Sequence, residues 1–140
     1  MKFNKQVSSS RRKNRKRHFN ASEEDRTKTM KCTLSKELRS LYGMRALPIC
    51  VNDTVEVMRG QFKSIKGRVV EVIYKTYKVH VESCEVTKKS GQKVFMPIYY
   101  SNLRIHKLHI DEERMSYINR MVQSKKKVVE ITSDTRLEVQ

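Results

Sequence analysis

The stretch that decides the fold reads Val55-Glu56-Val57-Met58-Arg59-Gly60-Gln61-Phe62-Lys63-Ser64-Ile65-Lys66-Gly67-Arg68-Val69-Val70-Glu71-Val72. Val55 and Val57 alternate with polar residues, the spacing that puts them on one face of a strand. Arg59-Gly60 opens a turn and Gly67 ends the loop. Arg68-Val69-Val70-Glu71-Val72-Ile73-Tyr74 then reads as a β-branched strand. Glycine lets the backbone bend tightly and come close to a ligand. Gln61, Phe62, Lys63, Lys66 and Arg68 offer that ligand stacking, hydrogen-bonding and phosphate-pairing groups. Without a ligand, the same pattern is an ordinary basic hairpin.

Alternation continues downstream. Tyr77, Val79 and Val81 alternate with polar residues. Val86 and Val94-Phe95-Met96 flank Lys88-Lys89-Ser90-Gly91, a hairpin tip with glycine for positive φ. Leu103-Arg104-Ile105-His106-Lys107-Leu108 alternates again. Five short strands separated by turn signals predict a small barrel over residues 48–110, with a thin core. The fold class is therefore mainly β.

Helical spacing flanks this unit. Ser22 caps Glu23-Glu24-Asp25, which suit the positive end of a helix dipole, and that helix runs to about Lys31. Thr33–Tyr42 is a stronger helix, with Leu34, Leu38 and Leu41 on one face and Thr33 or Ser35 as cap. Gly43 sits where a left-handed residue ends a helix. Pro48 opens an extended link. A last helix starts at Asp111 and ends at Lys125-Lys126-Lys127. Its stripe of Met115, Ile118, Met121 and Val122 serves packing. The chain thus divides into an arm (1–21), a short helical segment (22–47), the barrel (48–110), a helix (111–127) and an unassigned tail (128–140).

Charge decides the class of partner. The chain has 140 residues, 31 Lys and Arg against 15 Asp and Glu, and a net charge of +16. Residues 1–45 hold 14 bases and 4 acids, whereas residues 111–140 hold 6 of each. The first twenty residues lack any acid and contain Arg11-Arg12-Lys13-Asn14-Arg15-Lys16-Arg17-His18. Such a run repels itself and has almost nothing apolar to bury, so the arm, residues 1–20, is expected to be disordered when free and ordered on RNA. On nucleic acid it is neutralised, and released counterions drive binding. Phe3, Asn4, His18, Phe19 and Asn20 interleave aromatic and amide groups with the charge, which a pure nuclear-import patch does not need.

Catalytic and metal chemistry find no support. His106 and His109 lie three apart in a strand pattern, which sends them to opposite faces. Glu23, Glu24 and Asp25 are adjacent rather than brought together in a cleft. No phosphate-binding glycine loop or nucleophile elbow occurs. Cys32, Cys50 and Cys84 are far apart and read as free thiols. No apolar run approaches a membrane span, and no apolar stretch follows the N-terminal charges. No cofactor, metal or small-molecule substrate is expected.

The loop at 55–72 resembles a KOW motif, found in SH3-like barrels of ribosomal proteins and transcription elongation factors. Gly67 matches the motif's characteristic glycine, and Gly60 and Lys63 match the preceding turn. Ser64 departs, since glycine is common there. Lys2-Phe3-Asn4, Arg12 through Ala21, Leu34 through Arg39 and Pro48-Ile49 stand in the order and spacing of one family. The chain is similar over residues 1 to about 110 to the large-subunit ribosomal protein L twenty-four family, whose eukaryotic form is called L twenty-six. Ser22–Asp25, Cys50, Val51 and the tail beyond about Gln123 depart from it.

That resemblance implies a structural constituent of the large (60S) ribosomal subunit. It implies binding to the first domain of large-subunit rRNA, support of assembly, and a place near the peptide exit tunnel. Neighbouring ribosomal proteins are implied as partners. So is a cytoplasmic, ribosomal location with assembly in the nucleus or nucleolus. The RNA-binding set is Lys2, Asn4, Arg11, Arg12, Lys13, Arg15, Lys16, Arg17, His18, Phe19, Arg59, Gln61, Phe62, Lys63, Lys66 and Arg68, with Gly60 and Gly67 shaping the loop. The alternative is a KOW-type transcription or RNA-processing factor, which needs neither the arm nor its helix pair.

Overall fold

The computed structural model describes residue 4 and residues 7–137, with side chains through residue 124. Strands form in the stretches where alternation placed them, six in place of the five expected: β3 (Thr54–Val57), β4 (Lys66–Ile73), β5 (Lys78–Val81), β6 (Glu85–Thr87), β7 (Lys93–Phe95) and β9 (Leu103–Lys107). Three further strands are present, β1 (Lys31–Leu34), β2 (Ala46–Pro48) and β8 (Ile98–Tyr99). Among the described residues, seven strands pair in the order β2-β1-β9-β3-β4-β5-β8, and β6 and β7 form a separate hairpin. This is a small SH3-like β unit whose strand ladder does not close into a ring. Instead β1 approaches the 3₁₀ turn Tyr100–Asn102 after β8, where the Cys32 thiol donates to the Tyr100 carbonyl at 3.1 Å.

Period-two burial builds the core. Cys32 and Leu34 of β1, Val55 and Val57 of β3, Val79 and Val81 of β5, and Leu103 and Ile105 of β9 all point inward. Their polar neighbours face out, as a half-buried strand requires. Burial and hydrophobic transfer therefore fix the register, because a one-residue slip would turn every one of these side chains to water. Burial also pushes the Cys32 thiol up to about 12 and raises Cys84, and all three cysteines are free.

The helical segment differs from the expected one. Residues 33 and 34 belong to β1, which pairs antiparallel with β2 and parallel with β9. The helix α3 spans only Lys36–Tyr42, capped by Ser35, whose hydroxyl accepts from the Leu38 amide at 3.3 Å. Leu34 is buried by the sheet and Leu38 is half-buried, but Leu41 is 72% exposed. The three-leucine face therefore does not exist: sheet pairing overrides helix propensity over Thr33-Leu34. Gly43 does take the left-handed conformation, at φ 62°. The preceding helix α2 (Glu23–Thr29) is capped by Ser22 and stops before Met30, which is fully buried.

The arm is also a correction. Arg11–Phe19 form the helix α1 rather than an irregular extended arm. Arg and Lys are good helix formers, and Lys16, Arg17 and His18 in the last turn suit the negative end of the dipole. The remaining stabilisation comes from docking, described below.

Helix α4 (Glu112–Leu137) continues past the expected end at Lys127. It is fastened to the β unit by Arg114. The guanidinium is bidentate on the fully buried Asp53 carboxylate, with Nη2–Oδ2 at 2.8 Å, and also donates to the carbonyls of His109 and Pro48. Asp53 accepts further from the backbone N–H groups of Cys50 and His109. Both carboxylate oxygens and both terminal guanidinium nitrogens are thereby hydrogen-bonded, as a buried ion pair requires. Ile118 completes the contact, buried in the same core as the strands.

Candidate nucleic-acid interface

The basic side chains of α1 are free to meet a partner. Arg11, Arg12, Lys13, Arg15, Lys16 and Arg17 are all exposed, and Phe19 is 58% exposed with the Arg15 guanidinium 5.0 Å from its ring centre. Asn4 is exposed, while Lys2 and Phe3 lie outside the described residues.

What holds α1 in place is one aromatic contact and one arginine. His18 stacks on Tyr77, and the Tyr77 hydroxyl donates to the His18 carbonyl at 2.7 Å. Arg26, from α2, donates to the carbonyls of Phe19 at 2.9 Å and Lys75 at 3.2 Å, and its guanidinium lies 5.6 Å from the Tyr77 ring centre. Tyr77 itself sits at φ 58°, closing the 3₁₀ turn Tyr74–Thr76 between β4 and β5. A left-handed tyrosine is costly. Burial to 4% exposure and its two partners hold it there.

From Tyr77 a chain of rings leads away from the arm. Tyr77 lies 6.4 Å from Tyr100, and Tyr100 lies 4.7 Å from Tyr99, centre to centre. Tyr99 is 37% exposed and lines a cleft with Gln61 and Phe62 of the β3–β4 loop. Phe19, His18, Tyr77, Tyr100 and Tyr99 thus connect the cationic helix to the loop. Burial pushes the Tyr100 phenol up to about 12, so it stays neutral. Sequence reading missed Arg26, Tyr77 as a docking residue, Tyr99 and Tyr100. The run Tyr99-Tyr100 was a visible signal, since paired tyrosines in a basic chain are stacking candidates.

The loop is built by two successive turns. The Lys63 amide donates to the Gly60 carbonyl at 3.2 Å, and the Ile65 amide to the Phe62 carbonyl at 3.2 Å. Val57 closes the base, donating to Ile65 and accepting from the Ser64 amide. Gly60 has φ 101° and Ser64 φ 67°. Ser64 is the third residue of the Phe62–Ile65 turn, where positive φ favours glycine. The loop therefore keeps its course with serine in a glycine's conformation. Gly67 serves packing instead: a Cβ there would come within 2.7 Å of Val81 Cγ1 and 2.8 Å of Ser83 Oγ. The need for glycine comes from the chain's own strand, and not from positive φ.

Loop side chains divide. Arg59, Gln61 and Lys63 are exposed, while Phe62 is half-buried against the core. Lys66 and Arg68 are exposed on β4, opposite Glu56 and Thr54 of β3, and do not line the cleft. Glu56 is the acid on that face. Its carboxylate lies 2.6 Å from His106 Nε2. That hydrogen bond, aided by the charges of His106, Lys66 and Arg104, holds the Glu56 carboxyl below its ordinary range. Among the described residues, no cluster of three His, Cys, Asp or Glu could hold a metal, and no helix is long and apolar enough to cross a membrane.

Chemically, the arrangement offers phosphate pairing along α1, stacking at the ring chain, and a rigid basic loop. Comparison with known proteins gives the family. Residues 8–121 match the family of ribosomal proteins called L twenty-six in eukaryotes and L twenty-four in archaea. One relative, the large ribosomal subunit protein uL24 of Littorina littorea, is 44% identical over 130 residues, covering 92% of this chain and 90% of its own length.

Proposed function

The chain belongs to this family of eukaryotic and archaeal ribosomal proteins, and on that premise we propose that it is a structural constituent of the large ribosomal subunit that binds large-subunit rRNA. The family consists of ribosomal structural proteins, not enzymes. The observation that carries the RNA-binding reading is the docking of α1. A helix with six exposed cations is held by His18 and Arg26 against the same ring chain that reaches the KOW loop. One polyanion can engage both at once. Arg11, Arg12, Lys13, Arg15, Lys16 and Arg17, with Lys2 and Asn4 beyond them, pair with phosphates, which positions the RNA without reading it. Phe19, Arg59, Gln61, Phe62, Lys63, Lys66 and Arg68 contact bases, sugars and phosphates at the loop and β4. His18 acts by orienting the arm.

The RNA is the first domain of large-subunit rRNA, bound during assembly in the nucleus or nucleolus. The mature position is near the peptide exit tunnel of the cytoplasmic ribosome, beside other large-subunit proteins. A transcription or RNA-processing role is the less favoured reading, because family membership extends through the arm and helix pair that such a module does not need. Sedimentation of the native protein in high salt tests this. Retention with large subunits is expected. Free protein at the top of the gradient, or co-migration with RNA polymerase, would overturn it.

A further inference from the structure

We propose that the cleft between the KOW loop and β8 is a receptor for one unpaired RNA base. The inference rests on the RNA-binding reading and goes beyond it by assigning a site and a ligand chemistry. The cleft encloses about 290 Å³, at the low end of small-ligand sites. Tyr99 and Phe62 supply aromatic surface and Met96 an apolar one. Gln61 and Asn102 bring two side-chain amides, each with donors and an acceptor. Neither amide makes a side-chain hydrogen bond within the described residues. The backbone beside Asn102 is fixed, because its carbonyl accepts from the Met58 amide at 2.7 Å. Arg59 and Lys78 stand among the lining residues, and no acid does.

Those features select the occupant. A base needs a flat apolar slot and hydrogen-bond partners at its edge, and its phosphates need cations outside the slot. The cleft provides all three. An apolar side chain from a neighbouring protein would fill the slot but leave both amides and both cations without partners. A base within a duplex cannot enter, so the site discriminates single-stranded or bulged RNA from paired RNA.

The test uses the full-length chain. A photo-reactive phenylalanine is placed at position 99 or, as a control, at position 15, and large subunits are purified and irradiated. Position 99 is expected to cross-link to a base of the large-subunit rRNA, and position 15 to the RNA backbone region beside α1. A protein cross-link from 99, with an RNA cross-link from 15, overturns the base receptor but leaves RNA binding standing. RNA cross-links from neither overturn both. In binding assays the probes are a stem–loop RNA with one bulged 2-aminopurine and the fully paired duplex of the same stem. Tyr99→Ala and Asn102→Ala should each weaken the bulged RNA about tenfold, the scale of one lost base stack, and leave the duplex unchanged. Tyr99→Phe should retain binding and the quenching of 2-aminopurine. Equal binding of the two RNAs by the unmodified protein, or equal losses for both, overturns the proposal.

Discussion

His18 lies flat on Tyr77, with ring centres 4.1 Å apart and planes 15° apart, fifty-nine residues from it in sequence. The position of a helix with no buried residue depends on this contact. An isolated nine-residue helix is marginal in water, so its order comes from the dock. His18→Ala removes a stack worth about 0.5–1.5 kcal/mol but keeps the backbone carbonyl that accepts from Tyr77. Amide exchange across Arg11–Phe19 should rise about three- to tenfold, on the scale of that lost stack, while exchange in β3, β5 and β9 stays unchanged. Unaltered exchange in α1 would show that Arg26 and the Tyr77 hydroxyl suffice to hold it.

The buried pair Asp53–Arg114 carries the attachment of α4. Arg114→Leu strands a carboxylate at 0% exposure, leaving it only two backbone donors. Breaking a buried pair from one side costs about 3–5 kcal/mol. Urea unfolding should show that loss for Arg114→Leu. Replacing the exposed Arg120 by Lys, which keeps a cation beside the Tyr117 ring, should change stability by under about 0.5 kcal/mol. Similar effects for both would mean the pair does not fasten the helix.

Within the KOW loop, two positions should respond in opposite directions. Ser64→Gly relieves a left-handed serine, which should stabilise by about 0.5–1 kcal/mol once glycine's extra unfolded-state freedom is subtracted. Gly67→Ala drives a methyl into Val81 and Ser83, costing about 1–3 kcal/mol. Thermal unfolding of the two variants measures both. A stabilising alanine at 67 would contradict the close approach of β4 to the Val81–Ser83 segment.

Acid should act through Glu56. Its carboxyl titrates below the ordinary 4.5, chiefly because of the His106 hydrogen bond. A depressed carboxyl contributes stability above about pH 4.5, and that contribution is lost as pH falls through the folded-state value. Glu56→Gln should therefore be less stable than the wild type at neutral pH, with the gap closing as pH falls below 4.5 and through the depressed folded-state value. A gap that persists unchanged into acid would assign the effect to packing.

Most of the β unit was legible because Val55, Val57, Val79, Val81, Leu103 and Ile105 alternate, and alternation is what a half-buried sheet imposes. Strand β1 was hidden for a physical reason. Leu34, Leu38 and Leu41 mimic a helical face, and only pairing with β2 and β9, from distant parts of the chain, assigns residues 31–34 to the sheet. The same limit applies to α1. Nothing local to Arg11–Phe19 announces Tyr77. The cations of the proposed interface are visible in the charge count. The neighbours His18-Phe19 and Tyr99-Tyr100 stand in plain view, but the link between them was hidden, because it runs through Tyr77 by tertiary contacts that no local pattern encodes.

Affinity should divide between the helix and the loop. Arg12, Lys13 and Lys16 are exposed and paired with no acid among the described residues, so each is available to a phosphate. Glutamine removes their charge while keeping a good helix former in α1. The triple Gln variant should therefore weaken binding to any RNA. It should also flatten log K against log salt by roughly 2–3 units, at about 0.7–0.9 per lost contact. Loop groups stand on a backbone fixed by the Val57, Gly60 and Phe62 hydrogen bonds, so they meet one RNA shape better than another. Replacing Gln61 and Lys63 by Ala should hurt a large-subunit rRNA fragment more than an unrelated RNA, with a slope change of no more than about one unit. Filter binding over a salt series reads both quantities. If the α1 variant keeps the full slope, the helix is not the main phosphate contact and the loop must carry the affinity as well as the choice of site.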